Sequence, residues 1–232
     1  MIVIKFGGNA LAGAKDNKWL DLIAAKQRAG LKMVLVHGGG PQIDSELSLH
    51  GIERRFIEGF RYTDEATFNV VEMVLGSIAQ NFVRSFRARN VDALSMSGSD
   101  VALFEPIVKR SPSGQDLGQV GEVERVDTRI LEILMAEGVL PIVSSMSSTQ
   151  DGKGVNVNAD LAAGALAGAL RAEKIIFMTD VKGIYRTFPD EGSLISECTF
   201  TELVELLPSF SGGMIPKVTA IISAMEKGAI SA

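Results

Sequence analysis

The chain has 232 residues, 46% hydrophobic and 22% charged, which supplies a sizeable core and argues against extensive disorder. Its 28 acidic and 23 basic side chains leave a formal net charge of −5 with no long block of either sign, so a nucleic-acid partner is not expected. Cys198 is the one cysteine, which excludes an internal disulfide; no Cys/His group has zinc spacing, and no uncharged apolar stretch reaches about 18 residues.

The length suits one unit of two lobes. MIVIKFGG opens directly on a strand-like run with neither a basic leader nor a small-residue cleavage site, and the expectation is a soluble cytoplasmic protein with no membrane partner. The first run, Ile2 to Phe6, leads through Gly7-Gly8 to a helical stretch around Trp19, Leu20 and Ile23 that ends near Gly30. Met33 to Val36 predicts a second strand, followed by His37-Gly38-Gly39-Gly40 and a short helix from about Pro41. Thr63-Asp64-Glu65 reads as a helix start with a hydroxyl cap, and Phe68, Val71, Leu75, Ile78 and Phe82 recur on one buried face. Residues 91 to 125 read as short strands and turns of a hairpin-rich insertion. Asp127 predicts a cap for a helix carrying Ile130, Leu131, Leu134 and Met135, which Gly138 ends before the strand Val139 to Val143. A helix from about Ala159 to Leu170, a strand Ile175 to Met178, a capping box Thr199-x-x-Glu202, and a last helix with Val218, Ile221, Ile222 and Met225 complete the chain. The alternation is that of βαβ units around a mostly parallel sheet.

Two glycine loops follow the two early strands. Glycine lets consecutive N–H groups converge on an anion, and the N-terminus of a following helix adds partial positive charge. Each loop read alone could equally be a tight strand-to-helix turn. Neither fits the P-loop or the dinucleotide fingerprint. Lys5 stands at the end of the first strand, where a buried ammonium needs an anion. Lys217 follows Ser211-Gly212-Gly213-Met214-Ile215-Pro216 in the first turn of the last helix, where a cation opposes the helix dipole. Asn156-Val157-Asn158-Ala159-Asp160 is polar at alternate positions, as in a strand end lining a site, and Asn158 or Asp160 could also simply cap the next helix. His37 reads as a structural hydrogen-bonder and His50 as a helix-end residue.

Taken in order, VIKFGGNAL, LVHGGGPQI, GFRYTDE, VVEMVLGSIAQN, LGQVGEV, LPIVSS, VNVNADLAA, MTDVKGIY and SGGMIPKV resemble the amino-acid kinase family, and within it the branch acting on N-acetyl-L-glutamate. The resemblance spans nearly the whole chain. It implies an α/β fold, a three-layer αβα sandwich with an open, mostly parallel central sheet. It implies an acceptor-binding lobe over about residues 1–170 and a nucleotide-binding lobe over about 171–232, the latter shortened beside relatives that continue past the last helix. The implied reaction moves the γ-phosphoryl group of ATP, carried with Mg2+ on its phosphates, to the side-chain carboxylate of N-acetyl-L-glutamate, a step of arginine biosynthesis. Carried over by residue, Lys5 and Lys217 would stabilise the transferring phosphoryl group and Asp160 would position both lysines. Gly39, Gly40, Arg61 and Asn156 would hold the acetylated substrate. Gly7 and Gly8 would face the nucleotide phosphates, and Asp180, Val181, Lys182, Gly183, Ile184, Tyr185, Ser209, Phe210 and Ser211 would surround the nucleotide. The resemblance further implies a homodimer without arginine feedback. The nearest rivals are a kinase of N-acetylaminoadipate or a carrier-linked acceptor, and a catalytically weakened acetylglutamate-binding protein. An apolar wall for the acetamido end cannot be picked out by sequence.

Overall fold

A computed structural model describes residues 1–7, 18–179, 181–187, 189–210 and 214–232. Along the chain the strands are β1 (Ile2–Phe6), β2 (Met33–His37), β3 (Phe56–Ile57), β4 (Phe60–Arg61), β5 (Ala93–Ser97), β6 (Phe104–Arg110), β7 (Asp116–Val126), β8 (Leu140–Ser144), β9 (Met146–Ser148), β10 (Gly154–Val157), β11 (Lys174–Met178), β12 (Ile184–Tyr185) and β13 (Leu194–Ile195). The central sheet has the order β11-β1-β2-β8-β5 and every pairing in it is parallel.

The sequences of β1, β2 and β8 are nearly unbroken apolar runs because helices cover both faces of a parallel sheet. Side chains alternate between those faces. Val3, Val34, Val36 and Val143 pack with Leu131 and Met135 of the helix Arg129–Ala136, with Ala162 and Leu166 of the helix Ala159–Ala169, and with Ala224 of the helix Met214–Glu226. Ile4, Phe6, Leu35 and Ile142 pack on the opposite side with Leu20 and Ile23 of Lys18–Arg28, with Ile43 and Leu47 of Gly40–Leu49, and with Val71, Leu75, Ile78 and Phe82 of Glu65–Arg87. These are the three layers that the resemblance implies. Lys5 shares the face of Val3, so its side chain enters the layer of the helix Ala159–Ala169.

A smaller sheet of order β6-β7-β10-β9 flanks the cleft. β6 and β7 form an antiparallel hairpin, β10 runs parallel to β7, and β9 returns antiparallel to β10. Opposite Val120 in this arrangement stands Asn156.

Several local expectations change. The helix Glu65–Arg87 is capped by the Asp64 carboxylate, which accepts the Thr67 N–H at 2.8 Å; the Thr63 hydroxyl is engaged elsewhere. Thr128, not Asp127, is the residue before Arg129–Ala136, while the Asp127 carboxylate accepts the Arg129 N–H at 3.1 Å. Within residues 91–125 only β6 and β7 make a hairpin, since β5 joins the central sheet beside β8. The β3–β4 hairpin was not anticipated; its turn places Glu58 and Gly59 at φ 48° and 86°, the left-handed pair that a type I′ turn requires. The capping box forms as expected, with Thr199 and Glu202 bonded reciprocally. Among the described residues no helix is long and apolar enough to cross a membrane.

Candidate active site

The site lies where the chain leaves the carboxyl ends of β1 and β2, the crevice that open parallel sheets offer to ligands. At its floor is a trio of charges. Asn158 caps the helix Ala159–Ala169, its side-chain oxygen accepting the N–H groups of Asp160 at 2.9 Å and Leu161 at 3.1 Å. Asp160 therefore stands in the first helical turn, where the dipole favours an anion. One carboxylate oxygen lies 2.6 Å from Lys5 Nζ and the other 3.1 Å from Lys217 Nζ. Lys5 and Asp160 are buried and the Lys217 side chain is 22% exposed. Burial pulls the Lys5 pKa below the usual lysine value; Asp160 opposes that shift and Lys217 adds to it. Two ammoniums and one carboxylate sum to a charge of +1 within the trio.

Above the trio is a cleft of about 200 Å³ lined by Lys5, Gly38, Gly39, Gly40, Arg61, Asn156 and Asp160, with Ile43, Phe56, Phe60, Val120 and Val157 as its apolar wall. The structure thus brings together all of the residues expected to hold an acceptor. Gly39 is the N-cap of the helix Gly40–Leu49, and a Cβ there would lie 2.6 Å from Ile78 Cδ1, so glycine lets the loop pack flat on the helix Glu65–Arg87. A Cβ on Gly40 would meet only open space, which places the start of that helix against the cleft. The first N–H groups of a helix have no intrahelical acceptor and so suit an anion.

Arg61 closes one side. Its guanidinium is 2.6 Å from Asp44 Oδ1, donates to the Gly40 carbonyl at 3.5 Å, and stacks 4.8 Å above the Phe56 ring. The Thr63 hydroxyl donates to the Arg61 carbonyl at 2.9 Å and accepts from Asn156 Nδ2 at 3.3 Å. His37 is fully buried beside the Phe82 ring, with Nδ1 3.2 Å from the Gly38 carbonyl. Desolvation lowers its pKa to about 4, outweighing the opposing bond to Gly38, so the ring is neutral at pH 7. His50 is the C-cap of Gly40–Leu49 and sits 3.3 Å from Glu46.

The residues expected around a nucleotide are organised differently. Val181, Lys182 and Gly183 lead into β12, which pairs antiparallel with β13, and Lys182 forms an exposed ion pair with Glu191 at 2.5 Å. Ile184 and the buried Phe210 join a cluster with Leu203 of the helix Phe200–Leu206 and with Val218 and Ile222 of the last helix; Tyr185 is also buried, and Ser209 Oγ donates to the Leu206 carbonyl at 2.6 Å. The Gly7 N–H donates to the Met178 carbonyl at 2.9 Å and so prolongs the β1–β11 pairing. A Cβ on Gly7 would lie 3.7 Å from Lys5 Nζ, so the glycine leaves space beside that ammonium. Gly8, Asp180 and Ser211 lie outside the described residues.

Sequence reasoning missed Asp44, Phe56, Phe60 and Thr63. Thr63 stood inside a quoted motif but was given to the helix cap. Asp44 lies one helical turn after Gly40, within reach of Arg61.

The whole chain, residues 1–232, matches the amino acid kinase family. It is 42% identical to an acetylglutamate kinase of Salinispora tropica, over 98% of this chain and 79% of that protein. It is also 42% identical to an acetylglutamate kinase of Streptomyces coelicolor, over 100% of this chain and 78% of that one. Among solved structures it is similar to smu.665 from Streptococcus mutans UA159, with a TM-score of 0.86 and 28% identity over 98% of this chain and 91% of the other.

Proposed function

The chain belongs to the amino acid kinase family, and from that premise we propose that it transfers the γ-phosphoryl group of ATP to the side-chain carboxylate of N-acetyl-L-glutamate. The products are N-acetylglutamyl 5-phosphate and ADP, in arginine biosynthesis. Relatives about 40% identical over nearly the full chain bear the name of this activity. The observation that carries the reading is the Lys5–Asp160–Lys217 trio under a cleft holding Gly39, Gly40, Arg61 and Asn156.

Phosphoryl transfer spreads negative charge over equatorial oxygens, so it needs fixed cations and N–H donors more than covalent help. Lys5 and Lys217 supply the cations. Asp160, within reach of both, sets their separation. The acceptor carboxylate has an ordinary pKa of about 4.3 and is already ionised at neutral pH, so no general base is required. His37, neutral and turned onto Gly38, is not asked to be one. In this reading the N-terminus of Gly40–Leu49 faces the acceptor carboxylate, Arg61 and Asn156 grip the other polar groups of the amino acid, and Phe56, Phe60 and Val120 meet the acetyl methyl.

The nucleotide would lie along Val181 to Tyr185 and Ser209-Phe210, in a lobe over about residues 171–232, with the acceptor lobe over about residues 1–170. Among the described residues no three His, Cys, Asp or Glu side chains converge as a metal cage. Mg2+ would be carried on the nucleotide phosphates, where it would neutralise their charge. A homodimer in the cytoplasm is the proposed form, checked by light scattering of the purified protein. The reaction is tested by incubating the protein with MgATP and each of N-acetylglutamate, glutamate, aspartate and N-acetylaminoadipate, then trapping acyl phosphate as hydroxamate. Product chiefly from N-acetylglutamate is expected; binding of that compound with no hydroxamate would sink the kinase reading.

A further inference from the structure

Thr63 has no place among the roles above, yet three parts of the cleft meet at it. It is fully buried. Its backbone is woven into β7, the N–H donating to the Leu117 carbonyl at 3.0 Å and the carbonyl accepting from the Gln119 N–H at 2.6 Å. Gly118, between those two, has φ +71°, and a Cβ there would collide with the Thr63 carbonyl, so the backbone of Thr63 is fixed from outside the cleft. Its hydroxyl then links Arg61 to Asn156.

The chemistry of that link has a direction. A backbone carbonyl can only accept, so the single hydroxyl proton of Thr63 is committed to the Arg61 carbonyl. Towards Asn156 the hydroxyl oxygen can therefore only accept, and it must face the Nδ2 end of the carboxamide. The reversed amide would set two oxygens against each other. Asn156 lines the cleft, so one remaining Nδ2 proton and the Oδ1 oxygen are left for a ligand. Such a pair suits an acceptor bearing an anionic oxygen to take the proton and an amide N–H to meet Oδ1.

We propose that Thr63 is a positioning residue whose hydroxyl sets the polarity of the Asn156 carboxamide and so matches the cleft to an N-acylated amino acid. The inference rests on reading the cleft as the N-acetylglutamate site. It assigns no bond-making role to Thr63, so its signature is a loss of acceptor affinity with the chemical step intact.

The test compares wild type, Thr63→Val and Thr63→Ser. Thr63→Val keeps the shape and removes the hydroxyl; it raises KM for N-acetylglutamate about five- to tenfold, the loss of one or two hydrogen bonds, with KM for ATP unchanged and kcat within about twofold. Thr63→Ser restores the wild-type value. Independently of turnover, the side-chain amide resonances of Asn156, located by their absence in Asn156→Leu, move in ligand-free Thr63→Val and return in Thr63→Ser. Wild-type affinity and unmoved Asn156 resonances in Thr63→Val would overturn the proposal. So would equal losses for both substrates that serine fails to rescue, which would mark Thr63 as merely structural. A wild type that neither binds N-acetylglutamate nor forms hydroxamate would overturn the functional reading instead, and the Asn156 resonances would still decide what Thr63 does.

Discussion

The two sides of the candidate site are built by different means. On the acceptor side the ion pairs are largely withdrawn from water: Lys5 in β1 meets Asp160 at 2.6 Å, and Arg61, itself on the two-residue β4, meets Asp44 of the helix Gly40–Leu49 at 2.6 Å, while the glycine loop packs on the buried side chains of Glu65–Arg87. On the nucleotide side, Val181 to Tyr185 hang on a pair of two-residue strands, and the ion pair of Lys182 with Glu191 is exposed at both ends, 64% and 73%. Lys217 crosses between them, from the last helix to Asp160. On the reading proposed above, the lesson is one of burial: charges placed to act on the transferring group are withdrawn from water and weakly screened, whereas the Lys182–Glu191 pair on the other side is hydrated and screened.

The comparison is broken most directly at its hub. Lys5→Ala and Lys217→Ala should each lower kcat by roughly 100-fold or more, with N-acetylglutamate affinity within about threefold, because both act on charge that develops in transfer. Lys5→Ala should also cost more stability, since it strands the buried Asp160 carboxylate beside a partner that is itself 22% exposed. Single-turnover hydroxamate rates and urea unfolding separate the two effects. A lysine variant with near-normal turnover would remove that lysine from the mechanism.

His37 gives the acceptor side an acid sensitivity of its own. Its folded pKa of about 4 is below the ordinary 6.5 because burial disfavours the imidazolium. The unfolded chain therefore takes up a proton between pH 6.5 and 4 while the folded chain does not. Its stabilising contribution is full above about pH 6.5 and is lost as pH falls towards 4, by up to about 3 kcal/mol. Urea midpoints of wild type and His37→Asn between pH 7 and 4.5 should converge as the pH drops. Parallel curves would mean that His37 is not buried and neutral.

How much of this was legible depends on how local each signal is. The glycine loops, the two lysines, Asp160 and the Thr199–Glu202 box are written in contiguous stretches, and the sheet strands are readable because burial on both faces makes them unbroken apolar runs. Thr63, Asp44, Phe56 and Phe60 were not, because their meaning lies in partners supplied by another element: Thr63 meets Asn156 across 93 positions. Glu58-Gly59 hid the β3–β4 hairpin, since the Asn-Gly and Asp-Gly signatures of a type I′ turn are missing while the left-handed φ values are present. Thr63 was misread for a related reason: two capping residues stand side by side, and only the β7 pairing of Thr63 decides that Asp64 takes the helix.

Arg61→Ala sharpens the contrast within the acceptor side. On the proposed reading it removes a charge-assisted contact to the acceptor, while leaving Asp44 able to reach Arg54, whose guanidinium is already 3.8 Å away. KM for N-acetylglutamate should rise roughly 10- to 100-fold with kcat much less affected. Asp44→Asn, which loosens the arginine without removing it, should give a smaller rise, and equal effects would mean that Arg61 matters for packing rather than for the ligand.

The smallest effect belongs to the nucleotide side. Lys182 and Glu191 are both well exposed, so their ion pair contributes little to stability, and Lys182→Ala should leave the urea midpoint essentially unmoved. If Lys182 lies along the nucleotide, KM for ATP should rise by only a few-fold, because the ammonium remains largely hydrated and meets phosphate as a screened point charge. That rise should shrink as salt is added, and KM for N-acetylglutamate should not change. The same substitution thus tests which side Lys182 serves: a shift confined to ATP and weakened by salt agrees with a nucleotide along Val181 to Tyr185, whereas a shift in N-acetylglutamate would mean that the two sides are coupled, with the helix carrying Lys217 as one route between them.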